Sequence, residues 1–264
     1  MFNHPQIDPI AIHLGPVKIY WYGITYLVGF ALAWILARLR AKKYYPSWNS
    51  DIISNLIFYC VVGGIIGGRL GYVLIYNVDL FFHDPLFIFQ IWLGGMSFHG
   101  GIIGVITSLF FFTHKIKIPF LAILDFVAPL APLGIALGRI GNFINSELWG
   151  RITIVPWGII FPNGGPLPRH PSQLYESFAE GILLFIIIWF YTTKPKSQGM
   201  AAGLFLFGYG ISRFICEFFR EPDVQIGFVA LNWLTMGQLL SLPVIIVGMC
   251  MFLYGKKTTN HSLF

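Results

Sequence analysis

The sequence predicts an all-α membrane protein with seven transmembrane helices, and three observations predict it. Hydrophobic residues make up 56% of the 264 and charged residues only 11%, with a mean hydropathy of +0.72. A soluble domain carries about 25% charged residues, so this chain has too few polar groups to cover a globular surface in water. Its apolar residues fall into seven runs close to the roughly 20 residues that cross a bilayer. Its cations cluster at alternate ends of those runs, in segments 38–43, 115–117, 194–196 and 256–257. Positive loops stay on the cytoplasmic side. The N-terminus is therefore expected outside and the C-terminus inside, in one integral membrane domain spanning 1–264.

The same composition excludes other classes. The net charge of +6 is spread in short clusters rather than a basic stripe, so no nucleic-acid partner is expected. Cys60, Cys216 and Cys250 lie in apolar segments with no C-x-x-C spacing, which points to neither a metal site nor a disulfide framework. No cleavable signal peptide is expected, because the first apolar run has one Lys before it and no A-x-A-like site after it.

The first run is about Ile19–Ala37, followed at once by Arg38, Arg40, Lys42 and Lys43. The second, about Ile52–Tyr76, carries Gly63, Gly67 and Gly71 at four-residue spacing, a small-xxx-small face for close helix approach. Arg69 sits among these glycines and is expected to point into the bundle. The third run, Leu86–Phe112, is interrupted by GGMSFHGG at 94–101, which predicts a broken or closely packed helix. The fourth, Ile118–Ile140, contains Asp125, Pro129 and Pro132, so kinks are expected. Residues 142–174 are polar, aromatic and rich in Pro and Gly, long for a loop between two spans. They read as a small ordered head on the outer face, with a short strand in Val155–Phe161 and a turn at Asn163–Gly165. Runs five (Leu174–Thr192), six (Met200–Phe219) and seven (Trp233–Tyr254) complete the count, with Glu221 and Asp223 just beyond run six.

Four constellations carry possible chemistry. In LGRIGNFINSELWGR (137–151), Arg139 and Asn142 share a helix face. Arg139 reads either as an anion clamp, since guanidinium forks phosphate oxygens, or as a structural Arg paired with an acid such as Glu147. On run six, Tyr209, Arg213, Glu217 and Arg220 form one helical stripe. Such a stripe lines a wet cavity or bundle interior; the alternative is a ladder that only ties helices together. His99 in GGMSFHGG reads either as a hydrogen-bonded membrane histidine or as a general base. In RHPSQLYE (169–176), Ser172 is placed to cap the fifth helix. No G-x-S-x-G, H-E-x-x-H or P-loop is present, which leaves serine-hydrolase, zincin and NTPase readings without support.

Together these blocks resemble the prolipoprotein diacylglyceryl transferase family. LGRIGNFINSELWGR resembles its signature. Trp21–Gly23, Gly67–Tyr76, GGMSFHGG, RHPSQLYE and RFICEFFREPD match its other blocks in order over essentially the whole chain. One departure is Ser146, where the signature often has Gly. The resemblance implies a multi-pass enzyme of the bacterial inner membrane with a periplasmic N-terminus and head. It implies transfer of the diacylglyceryl group of phosphatidylglycerol to the lipobox cysteine in a prolipoprotein signal peptide, releasing glycerol phosphate. No metal or cofactor is expected. By analogy Tyr22, His99, Arg139, Asn142, Glu147, Gly150 and Arg213 match functional positions, and the stripe adds Tyr209, Glu217 and Arg220 as substrate-binding residues. The rival reading from the residues alone is an anion transporter, which predicts repeat symmetry; the sequence shows none. A second rival is a lipid-binding bundle without chemistry.

Overall fold

The computed structural model describes residues 2–15, 17–91, 94–194, 196–222 and 227–261. Asp223, with the rest of 223–226, lies outside the described residues, as do Trp92 and Leu93 of the third run. The protein is mostly helical, about 66%. Among the described residues, four helices are long and apolar enough to cross a membrane, or five if a bent pair counts as one span.

In chain order, strands β1 (Phe2–Asn3), β2 (Ile10–Leu14) and β3 (Val17–Tyr20) precede α1 (Trp21–Tyr44), α2 (Ser50–Tyr76) and α3 (Val78–His83). After a 3-10 turn at Pro85–Phe89 come α4 (Phe98–Ile116), α5 (Phe120–Val127) and α6 (Ala131–Ile144). The head contributes β4 (Ile159–Ile160). Then α7 (Ser172–Glu176) runs through a π-helical segment, Ser177–Leu183, into α8 (Leu184–Tyr191). Last come α9 (Met200–Cys216), β5 (Phe228–Ala230), β6 (Leu234–Thr235) and α10 (Met236–His261).

The chain divides into two compact units, one formed by Trp34–Ile123 and the other by the residues on either side. In the first, α2 lies along α4. The contact is made by backbone rather than side chains, as the glycine spacing predicts. A Cβ on Gly67 would sit 2.6 Å from Gly104 Cα, and one on Gly71 would sit 2.8 Å from Gly100 Cα. The third apolar run does not begin its helix at Leu86. Ser97 Oγ accepts from Gly100 N (3.2 Å) and starts α4 only at Phe98, because the glycines at 94 and 95 take left-handed φ of +79° and +82°. Arg69 is buried, as expected from its position. It donates to the carbonyls of Phe87, Ile88, Gly94 and Gly95, so it ties down the chain that leads into α4. Gly104→Ala will destabilise this unit by about 1–3 kcal/mol, because the methyl has no room beside Gly63 and Gly67. Thermal unfolding in detergent measures it, and an unchanged midpoint would refute the close approach.

Helices α5 and α6 meet at a bend of 49°, where Pro129 and Pro132 place the expected kink. Both Asp125 oxygens accept backbone N–H groups at the start of α9, from Gly199 (2.6 Å) and Ala202 (2.8 Å). These are donors a helix start leaves without partners. Helices α9 and α10 pack closely: a Cβ on Gly203 would sit 2.6 Å from Phe252 N. The predicted head strand is shorter than Val155–Phe161: only Ile159–Ile160 pairs, parallel to β1. The predicted turn is present, with Gly164 N donating to Phe161 O (2.9 Å).

Candidate functional site

The site begins from a problem of solvation. Arg139 lies within apolar α6, Arg213 in the last turn of α9 and Arg220 just past it, where a cation without a partner is expensive. The structure gives each of them a carboxylate. Arg139 Nε lies 2.9 Å from Glu176 Oε2, and its Nη2 3.4 Å from Glu180 Oε2. Arg213 Nη1 donates to Glu176 Oε1 at 2.6 Å, its Nη2 pairs with Glu217, and Glu180 Oε1 stands at 3.9 Å. Arg220 Nη1 lies 3.6 Å from Glu176 Oε1. Three guanidiniums thus face three carboxylates, with Glu176 shared among all three arginines.

Charge is balanced across this network but not evenly distributed. The side chains of Glu176 and Glu180 are 0% exposed, while Arg139, Arg213 and Arg220 keep 16, 14 and 10%. The acids are sealed behind the arginines, and the reachable surface is cationic. Guanidiniums fixed by rear carboxylates are pre-oriented, so they lose little freedom when their remaining N–H groups bind a phosphate.

Arg139 does not pair with Glu147, the partner suggested by sequence proximity. Glu147 accepts instead from Asn142 Nδ2 (2.8 Å) and Asn145 Nδ2 (3.4 Å). The backbone turns sharply at this loop, with φ of +54° at Ser146 and +59° at Leu148. Position 146, where Ser replaces the Gly often found in the signature, is therefore a left-handed position that glycine occupies more easily. The loop is held from below by buried side chains of α7: Ser172 Oγ donates to Leu148 O (2.9 Å) and Gln173 Nε2 to Glu147 O (2.6 Å). Ser172 is thus not a helix cap. It is the first residue of α7, and its hydroxyl is turned to the loop.

The stripe on run six needs a second correction. Helix α9 ends at Cys216, Glu217 follows as its C-cap, and Arg220 lies beyond on extended chain. Arg220 pairs with Gly150 in an antiparallel bridge, so the stripe is helical only from Tyr209 to Glu217. The bridge explains the glycine at 150: a Cβ there would stand 2.5 Å from both His170 O and Phe219 O. Arg151 Nε reinforces the bridge by donating to Arg220 O (2.9 Å), and Arg169 Nη1 reaches Gly150 O (3.1 Å) and Glu221 (3.0 Å). Burial lowers the His170 pKa. Its Nδ1 lies in hydrogen-bond reach of the Tyr175 hydroxyl at 3.1 Å, and that hydroxyl accepts from Trp157 Nε1 at 2.7 Å.

Tyr22, in the first turn of α1, packs on α6. Its ring limits the space at Gly141, where a Cβ would be 2.9 Å away, and its hydroxyl lies 3.1 Å from that of Tyr26. Tyr209 stacks on Phe205 within α9. His99 is exposed in the first turn of α4, within the other compact unit, with its ring edge-on to Phe98.

The family model of prolipoprotein diacylglyceryl transferase matches residues 9–254. The chain belongs to the prolipoprotein diacylglyceryl transferase family. It is 57% identical to the phosphatidylglycerol–prolipoprotein diacylglyceryl transferase of Coxiella burnetii (strain RSA 331 / Henzerling II), over 94% of this chain and 95% of that one. It is 56% identical to the one of Legionella pneumophila (strain Lens), over 94% and 97%. It is 51% identical to that of Pseudomonas paraeruginosa, over 97% of both chains. The protein is a transferase.

Sequence reasoning misses two residues of this network: Glu176 stands unremarked at the end of RHPSQLYE, at a helix start, and Glu180 is passed over. The signal was present: two acids four apart in a fifth run that is otherwise apolar. Helical spacing puts them on one face, and the π-helical segment at 177–183 is a deviation often found at functional sites.

Proposed function

We propose that this transferase moves the sn-1,2-diacylglyceryl group of phosphatidylglycerol to the lipobox cysteine thiol of a prolipoprotein. A carbon–sulfur thioether bond forms, the bond from the glyceryl carbon to phosphate oxygen breaks, and glycerol phosphate leaves. This is the first step of lipoprotein maturation. The observation that carries the reading is the polarised arginine–glutamate network, with a cationic face backed by buried acids.

The chemistry follows from residue types. A thiol attacks as thiolate and has an ordinary pKa near ~8.5, so its proton must be removed. His99 is the imidazole assigned to help, since guanidinium stays protonated and Arg213 is unsuited to act as a base. Departure of the phosphate ester builds negative charge, and Arg139 and Arg213 meet it in a water-poor site. Asn142, Glu147 and Gly150 shape the loop beside Arg139 and bind the glycerol end of the headgroup. Tyr22, Tyr209, Glu217 and Arg220 complete the binding surface. We place the enzyme in the bacterial inner membrane as one integral domain of seven transmembrane helices. Its N-terminus and the 142–174 head are periplasmic, and its C-terminus is cytoplasmic. The substrates are membrane lipid and a lipobox signal peptide.

The test is release of glycerol phosphate from phosphatidylglycerol by the full-length protein in detergent, with and without a lipobox peptide. Release that depends on the peptide and its cysteine supports the assignment; no release, or release independent of the peptide, overturns it. In the same assay His99→Ala will lower turnover about a hundredfold with an unchanged melting midpoint. Wild-type turnover by that folded variant removes His99 from the mechanism.

A further inference from the structure

A second cationic feature lies far along the chain from the arginine–glutamate network. A cavity of about 540 Å³ opens where α1 ends and α2 begins, built entirely from residues 38–53. Its lining includes Arg38, Lys42, Trp48, Asn49, Ser50 and Ile53. That volume falls within the range of small-ligand sites.

The charges in it are unusual. Arg38 and Lys42 are one helical turn apart, a spacing at which like charges repel. Among the described residues neither forms an ion pair with a carboxylate. Arg38 lies instead over the Trp34 ring at 4.8 Å. Asn49, also in the lining, caps α2 with its side chain accepting from Ile52 N (2.9 Å); Asp51, in the first turn of α2 but outside the lining, offsets the partial positive charge of that helix end. Trp48 and Ile53 give an apolar wall. The cavity therefore joins a cationic rim to a greasy wall where one helix apolar enough to cross a membrane ends and the next begins.

We propose that this cavity binds the phosphate of an anionic glycerophospholipid from the leaflet at the 38–50 end of α1. The phosphate sits between Arg38 and Lys42, and the acyl chains follow the apolar surfaces of α1 and α2. The cations relieve their mutual repulsion on a shared anion, and the apolar wall favours a lipid over a free phosphate. This lipid site goes beyond the proposed transfer reaction and does not depend on it.

Photocrosslinking tests the site in the full-length protein. The protein is placed in phosphatidylcholine nanodiscs doped with phosphatidic acid bearing a diazirine near its headgroup. It is then illuminated, digested and mapped by mass spectrometry. The expected result is an adduct within 38–53 that unlabelled phosphatidic acid competes away and inorganic phosphate does not. Replacing each cation lowers the yield about fivefold, so Arg38→Gln/Lys42→Gln loses most of it while transfer activity stays unchanged. Ser50→Glu keeps every cation needed for membrane insertion, suits a helix N-terminus, and lowers the yield by placing a carboxylate in the cavity. The proposal is overturned by adducts confined to other segments, by an undiminished yield in Ser50→Glu or the double variant, or by equal competition from inorganic phosphate, which would make the site one for free anions.

Discussion

Glu176→Ala will destabilise the protein by about 3–5 kcal/mol and abolish transfer. Glu176 is the carboxylate that three arginines share. Arg139 approaches it at 2.9 Å, Arg213 at 2.6 Å and Arg220 at 3.6 Å, and its side chain is 0% exposed. Truncation takes the shared carboxylate from all three guanidiniums, leaving Glu180 beside Arg139 and Glu217 and Glu180 beside Arg213. A buried ion pair contributes little beyond a hydrophobic substitute, but removing one member strands the others in a medium that cannot solvate them. Glu176→Gln keeps the shape and one acceptor oxygen, so it will lose less stability while still freeing the guanidiniums to turn. Thermal unfolding in detergent, read beside peptide-dependent glycerol phosphate release, separates the two effects. A Glu176→Ala midpoint equal to wild type would mean that water or another group already neutralises the arginines, and the network would lose its role as their anchor.

The residues that built this network were unequally visible in the chain. Arg139 and Arg213 stand out because a cation in an apolar run is rare. The periodicity of 3.6 put Arg213 and Glu217 on one face, where they do pair. Periodicity then overreached at Arg220. It assumes the helix continues, and nothing local announced that the chain leaves α9 after Cys216 to bridge Gly150. The choice of partner was also illegible. Glu147 is eight residues from Arg139, yet the carboxylates that bind Arg139 are 37 and 41 residues away. Pairing of that kind is set by how helices pack. The same limit applies to Ser172, which reads as a cap by residue type but spends its hydroxyl on Leu148 O across the loop. By contrast, features that depend on local backbone chemistry were readable: the bend at Pro129 and Pro132, the glycine contact of α2 with α4, and the buried Arg69.

Arg213→Lys will keep the fold and lower turnover by about 10²–10³, with Arg213→Ala at least as severe. Arg213 meets Glu176 through Nη1 and Glu217 through Nη2, with Glu180 3.9 Å away, so a single side chain is gripped on both prongs. Lysine carries the same charge as one compact ammonium and cannot hold both acids while presenting a planar edge to a phosphate. Its charge still neutralises Glu176 and Glu217, which is why stability should survive better than in Glu176→Ala. The predicted signature is therefore a split. The melting midpoint stays near wild type and phosphatidylglycerol KM changes little, while kcat falls, because the lost interaction is strongest with the charge that develops as the phosphate ester departs. A proportional rise in KM with unchanged kcat would show instead that Arg213 only holds the ground-state lipid. The developing charge would then have to be met by Arg139, whose Nε and Nη2 are fixed in the same way by Glu176 and Glu180.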